Sequence, residues 1–293
     1  MTSNNVGKIV SKIHFEKFCF GGAHDIKDTV GAWIKKNQPR LHGKKIADAP
    51  AGNGVTSRML KEVGAEVLAF DLFPDNFQVP NINCAFADLA EQLPLPEQSL
   101  DFIVCQEGVE HLANQPKLMT EFSRCLKTGG SLILTCPNSS NIRGRLSYLL
   151  GESEYFGKML PPNEIESLWH SRDEKIYFGH VFLIGISRLR LFSRLAGFEI
   201  KTIHSTRLNR SSLLFFPMLA PLIKFFTGRA LRRTLAKNPE LSPEKITDLR
   251  QLAELSSCSK ILLESHLFIE FVKIQDSKSQ TPLGRHREAQ FKT

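Results

Sequence analysis

A short apolar strand that ends on an acid, then a glycine-bearing turn, a helix and a second strand ending on an acid: this succession constrains the chain most. Lys44-Lys45-Ile46-Ala47 leads into Asp48-Ala49-Pro50-Ala51-Gly52-Asn53-Gly54, and Val55 to Val63 follows with helical composition. Gly64 is placed to end that helix, because the left-handed residue after a helix is usually glycine. Ala65 to Phe70 reads as the second strand, and Asp71 ends it. This is the order of a nucleotide-binding βαβ unit, whose ligands sit at the carboxyl ends of the strands. Gly52 and Gly54 let the backbone approach a ligand that a Cβ would push away.

A dinucleotide fingerprint G-x-G-x-x-G requires glycine at position 57, where this chain has Ser57. An acid before the turn can accept a hydrogen bond or receive a cationic amine. Two acids and a short glycine turn therefore suit a ligand with an aminoacyl group and a ribose but no pyrophosphate. S-adenosylmethionine (SAM) fits that description.

The rest of the chain continues the alternation. Asp25 to Lys36 has Ile26, Val30, Trp33 and Ile34 at helical spacing. Strands are expected at 84–87, 100–105, 131–136, 198–204 and 266–274, and helices at 116–126 and 186–195. Asp88 and Glu107 stand at further strand ends. The fold class expected is α/β: a Rossmann-like, seven-stranded, mainly parallel sheet with helices on both faces, the last strand antiparallel, and a helical insertion. Residues 1–40 read as an N-terminal helical cap, with Phe15, Phe18 and Phe20 suggesting either packing or a cap over the ligand site. Residues 41–206 read as the ligand-binding domain, with a loop-like insertion at 139–180. A basic, apolar insertion at 207–258, a last strand within 259–275 and a disordered tail at 276–293 complete the division.

Charge is localised. The chain carries a net charge of +8, and Lys201 to Pro239 holds eight Lys or Arg without one Asp or Glu. The partner of that charge should meet this segment. Leu213 to Ile223 is apolar, interrupted by Pro217 and Pro221, and is read as too short and broken to span a bilayer, which takes roughly 20 residues. Apolar and basic residues together suit an anionic membrane surface; a substrate lid or a subunit face is the alternative. No RNA-binding motif is evident, so nucleic acid is not the expected partner. The N-terminal residues have no apolar signal core, and the six cysteines lack paired metal spacing. The expected location is cytoplasmic, with peripheral attachment to the inner face of a membrane.

From Lys45 to Asn138 the chain resembles the class I SAM-dependent methyltransferases. The resemblance rests on the Asp48–Gly54 loop, Asp71, Ala87-Asp88-Leu89, the Gln106–Leu112 stretch and Leu126-Lys127-Thr128-Gly129-Gly130 before an apolar strand. It departs from the usual three-glycine loop, since Pro50 and Ala51 occupy part of it. The resemblance implies that Asp48 and the Ala49, Pro50, Ala51, Gly52, Asn53 and Gly54 backbone hold the methionyl part of SAM. It implies Asp71, with Leu72 beside it, at the ribose hydroxyls. Asp88 and Leu89 would be at the adenine, and Gln106 and Glu107 beside the methionyl end. Diols and exocyclic amines are donors and carboxylates are acceptors, so the chemistry agrees.

Glu107, Glu110 and His111 also match the E-x-x-E-H pattern of ubiquinone-pathway O-methyltransferases and of small-RNA 2′-O-methyltransferases. There the resemblance implies a divalent metal that binds the acceptor hydroxyls, with His170 or His180 as a further ligand. The same residues without metal would leave His111 as a base or substrate contact and Glu110 as a cap or ion-pair partner. Cys136-Pro137-Asn138 through Gly151 looks like methyltransferases associated with bacterial cell-surface glycans, which favours a sugar, lipid-linked or quinone-like hydroxyl as acceptor. The alternatives are a catalytically silent SAM-fold protein that docks a partner or membrane, and a 2′-O-RNA methyltransferase.

Overall fold

The alternation closes into one sheet in the computed structural model, which describes residues 13–16, 26–153, 162–170 and 176–276. Its strands are β1 (His14–Phe15), β2 (Lys45–Asp48), β3 (Glu66–Asp71), β4 (Cys84–Phe86), β5 (Leu100–Gln106), β6 (Leu126–Pro137), β9 (Phe198–Ile203) and β10 (His266–Lys273). The spatial order is β1-β9-β10-β6-β5-β2-β3-β4. β10 runs antiparallel to β6 and β9, and the other pairs are parallel. The seven expected strands are therefore present with the last antiparallel, and β1 adds a two-residue eighth at the edge. The strand order reverses between β2 and β5, and the crevice at such a switch point is where open α/β sheets bind ligands.

Successive strand residues face opposite sides, and here both sides are apolar. Ile46, Phe102, Ile133 and Phe268 pack with Val30, Trp33, Ile34, Leu41 and Leu60, which belong to α1 (Ile26–Lys36), α2 (Gln38–Leu41) and α3 (Val55–Glu62). Ala47, Ile103, Leu134 and Ile269 pack with Leu118, Phe122 and Leu189, from α4 (Gln115–Cys125) and α6 (Ile186–Leu195). Burial on both faces explains the nearly continuous apolar runs of β5 and β6.

Three expectations are corrected. First, α1 and α2 form part of a sheet-covering layer, so these helices of the N-terminal region show packing and not a cap over the ligand site. β1 lies on the far edge beside β9, and Phe18 and Phe20 lie outside the described residues, as does 277–293. Second, the 139–180 stretch contains α5 (Ile142–Gly151) and a separate hairpin, β7 (Leu168–His170) with β8 (Ile176–Phe178). Third, Pro217 and Pro221 do not break the basic insertion. α7 runs unbroken from Arg210 to Lys237, and α8 (Pro243–Ser257) and α9 (Ser259–Leu263) follow. Each proline removes one intrahelical donor, yet packing against α5, α8 and α9 holds the helix. With a mean hydropathy of 1.4 over its best 18 residues, α7 is long and apolar enough to cross a membrane by length and composition.

Candidate active site

The Asp48–Gly54 loop leaves β2 at the switch point. Asp48 is fully buried at its floor, and its Oδ2 accepts from the Ser57 hydroxyl at 2.5 Å. Burial, with a smaller contribution from the Asp71 charge, pushes its carboxyl up to about 7. The loop itself is drawn toward β3, because Asp71 Oδ2 accepts from Gly52 N–H at 2.7 Å. Asp71 Oδ1 accepts from Phe73 N–H at 2.8 Å. Each carboxylate oxygen retains acceptor capacity for a ribose hydroxyl. Asp88 Oδ1 accepts from Ala90 N–H at 2.8 Å, and Leu72 and Leu89 are half-buried. Gln106 ends β5 with its Oε1 on the Thr56 hydroxyl at 3.0 Å, while its buried Nε2 has no hydrogen-bond partner. An unpaired amide donor in that crevice fits the carboxylate of a methionyl group. These observations bring Asp48, the loop, Asp71 and Gln106 around one crevice, with Asp88 at the end of the next strand.

The two loop glycines have different reasons. Gly52, at φ +55°, faces open space, as backbone in contact with a ligand must. Gly54, at φ +87°, is hemmed in by the chain itself: a Cβ there would lie 2.5 Å from Val79 and 2.7 Å from Phe77. Gly54→Ala is therefore expected to lower stability by about 1–3 kcal/mol, read as a lower urea midpoint at unchanged slope. Gly52→Ala, strained but unobstructed, should cost less. Gly108 is a residue the sequence reading passed over. A Cβ on it would meet Pro50 Cδ at 2.6 Å, so the two loops of the crevice interlock there.

Glu107 stands at φ +51°, a left-handed conformation that a non-glycine residue adopts at a cost. The following turn, Val109–His111, places the remaining chemistry. Glu110 is fully buried, and neither carboxylate oxygen has a hydrogen-bond partner. Burial, then the Glu107 charge, pushes it up to about 9. His111 Nδ1 lies 2.9 Å from the Phe178 carbonyl of β8. A carbonyl only accepts, so Nδ1 donates there and Nε2 is the ring nitrogen left facing the cluster. His180 Nε2 lies 4.0 Å from Glu110 Oε1, and the two imidazoles stand 4.8 Å apart. Burial, followed by His111 and His266, pushes His180 down to about 4, so it is neutral at pH 7.

One ligand atom from each of Glu110, His111 and His180 lies within 4.8 Å of the others. The structure thus selects His180 as the additional histidine; the side chain of His170 lies outside those described. Glu107 is adjacent through its electrostatic coupling to Glu110, and its Oε2 sits 3.8 Å from His266 Nε2. A buried acid beside two imidazoles is a donor set that fits a divalent ion, which would displace the acid's proton on binding. The Phe178 carbonyl supplies the outer contact that orients such a ligand.

Residues 47–134 match a methyltransferase-domain family. A ubiquinone biosynthesis O-methyltransferase from Leptothrix cholodnii is 28% identical over 152 residues, 48% of this chain and 64% of that protein. A Mycobacterium tuberculosis protein named as a probable S-adenosylmethionine-dependent methyltransferase is 28% identical over 123 residues, 38% of this chain and 44% of that protein. The chain thus spans less than two thirds of either relative. A solved structure described as a methyltransferase from Bacillus halodurans C-125 superposes with a TM-score of 0.51 at 14% identity, covering 84% of this chain and 100% of that one, and shares the fold. Residues 47–134 are thus those of a methyltransferase domain, in a chain that has the Rossmann-like fold and is similar to SAM-dependent methyltransferases. SAM is the cofactor of that class.

Proposed function

We propose that the protein transfers the methyl group of SAM to a hydroxyl of a small-molecule or lipid-linked acceptor, of the sugar, lipid-linked glycan or quinone-like kind. The gathering of Glu110, His111 and His180 beside the end of β5 supports this reading most directly. Methyl transfer from a sulfonium depends mainly on holding the nucleophile in line. An alcohol gains further when its proton is removed. His111, oriented by the contact of its Nδ1 with the Phe178 carbonyl, is placed to accept that proton on Nε2. Likeness to the ubiquinone-pathway relative supports oxygen as the atom methylated.

Glu107, Glu110, His111 and His180 would hold a divalent ion. When bound, the ion would supply a site for acceptor hydroxyls and lower their pKa. The cationic, apolar face of α7 supports a second element of the proposal: peripheral attachment to an anionic membrane from the cytoplasmic side.

The test is product formation. Purified protein, SAM and a panel of catechols, polyols and lipid-linked sugars are expected to yield S-adenosylhomocysteine and methylated product. Chelator should abolish turnover while leaving SAM affinity within about twofold, because the crevice and the acid–imidazole cluster share only Glu107. SAM binding with no product from any hydroxyl acceptor would instead favour a silent docking protein.

A further inference from the structure

We propose that the cavity beside the reaction centre takes the acidic head of an amphiphilic acceptor, whose tail lies along α5 and α7. The proposal rests on the methyltransferase reading above and names the substrate class for that same site.

The cavity measures about 240 Å³ and reaches the centre through Glu107 and His180. Its far wall brings together segments distant in sequence: Asn138, Asn141 and Arg143, then Arg207 and Asn209, then Ser265 and His266. The wall is built before any ligand arrives. Asn138 Nδ2 donates to the Ile261 and Glu264 carbonyls at 2.9 and 2.8 Å. Asn141 Nδ2 donates to the Glu264 carbonyl at 3.0 Å. Arg207 O accepts from Ser265 N–H at 2.8 Å. The Ser265 hydroxyl is buried and has no hydrogen-bond partner, which leaves a polar group for a guest to satisfy. Two arginines line the cavity against one acid, Glu107, which has His266 beside it. Guanidinium forks select phosphate or carboxylate.

Size decides the rest. Pockets that enclose a whole drug-sized ligand run from roughly 300 to 1,000 Å³, so this one admits a head group and leaves a large acceptor's remainder outside. What lies outside is apolar. Asn141 caps α5 and Asn209 caps α7, and Arg143 N–H donates to the Ser212 hydroxyl at 3.1 Å, which ties the two helix starts together at the cavity. Along α5 the exposed side chains are Tyr148, Leu149 and Leu150, and along α7 Leu214 and Met218. With a rise of 1.5 Å per residue, Leu214 stands only ~7 Å beyond Asn209. An acidic head at the arginines therefore has an apolar track leading away from it.

Binding of single-chain probes tests this with the full protein loaded with SAM. Dodecyl phosphate below its micellar concentration is expected to bind at least tenfold tighter than inorganic phosphate and tenfold tighter than neutral dodecyl maltoside. The double variant R143Q/R207Q should lose at least tenfold in dodecyl phosphate affinity, and R143K/R207K should recover part of it. SAM affinity on the same samples should be unchanged, which also confirms folding. L149S/L214S should reduce dodecyl phosphate binding to the level of inorganic phosphate. Equal binding of phosphate with and without the alkyl chain would make this a site for free anions and overturn the proposal. Indifference to both arginine substitutions would overturn it as well. Failure of SAM to bind the wild type would instead strike the methyltransferase reading, independently of the probe results.

Discussion

Glu110→Gln is expected to leave the protein folded and SAM-bound while lowering kcat/KM at least ~10²-fold, the scale of a lost acid–base or metal contribution. The argument begins with what the carboxyl lacks. It is fully buried, neither oxygen has a hydrogen-bond partner among the described residues, and the nitrogens near it belong to His180, whose Nε2 lies 4.0 Å away, and to His111. A buried unsatisfied polar group costs about 1–3 kcal/mol. With its carboxyl pushed up to about 9, Glu110 is already uncharged at neutral pH, and glutamine matches both its shape and its neutrality, so the melting temperature of the variant should stay close to that of the wild type. A residue whose replacement costs no stability but removes turnover is there for the chemistry. Titration of the variant with Mg²⁺, Mn²⁺ or Zn²⁺ should show weakened binding, and SAM calorimetry should be unaltered. Wild-type turnover in Glu110→Gln would reduce the cluster to a structural feature.

The sheet was legible because its strands are buried on both faces. Leu100 to Cys105 and Ser131 to Cys136 read as continuous apolar runs, and the acids and glycines at their ends punctuate them. The crevice was legible for the same reason: each of its residues lies next to a strand end, so position along the chain implies position in space. The cluster was only half legible. Glu110 and His111 are neighbours in sequence, but His180 joins them from 69 residues away, brought in by the Phe178 carbonyl and the hairpin. No local pattern encodes that return. The cavity wall is harder still, since its polar side chains come from three separate segments. The insertion was read as helical, but the unbroken length of α7 was not legible, for a different reason. Prolines argue locally against a helix, whereas α5, α8 and α9 pack along this one and outweigh the donors lost.

Replacing Arg229, Arg232 and Arg233 with Gln is expected to release the protein from vesicles of anionic phospholipid, with SAM affinity unchanged. The reading of α7 as a membrane-surface helix follows from how its side chains are disposed. Leu214, Met218, Leu222 and Phe225 are all at least half exposed, and their spacing of three and four residues puts them in one stripe. Continued past Phe226, the stripe reaches the three arginines, and the helix contains no acid. A spanning orientation would have to carry Lys224 through the bilayer and strip α7 from the helices it packs against. Lying in the interface satisfies both ends, with apolar side chains in the headgroup boundary and cations at the anionic heads. Each basic residue near such a surface contributes about 1 kcal/mol. Loss of three should weaken partitioning roughly 100-fold at low salt, where the Debye length is long. Raising the salt should weaken the wild type in the same direction. Leu214→Ser with Met218→Ser should also release it, but without steepening the salt dependence, because those residues act by burial. Co-sedimentation with vesicles of phosphatidylglycerol and phosphatidylcholine reads all of these. If the wild type ignores anionic vesicles at low salt, the stripe is a contact for another chain, and the arginines are merely solvated.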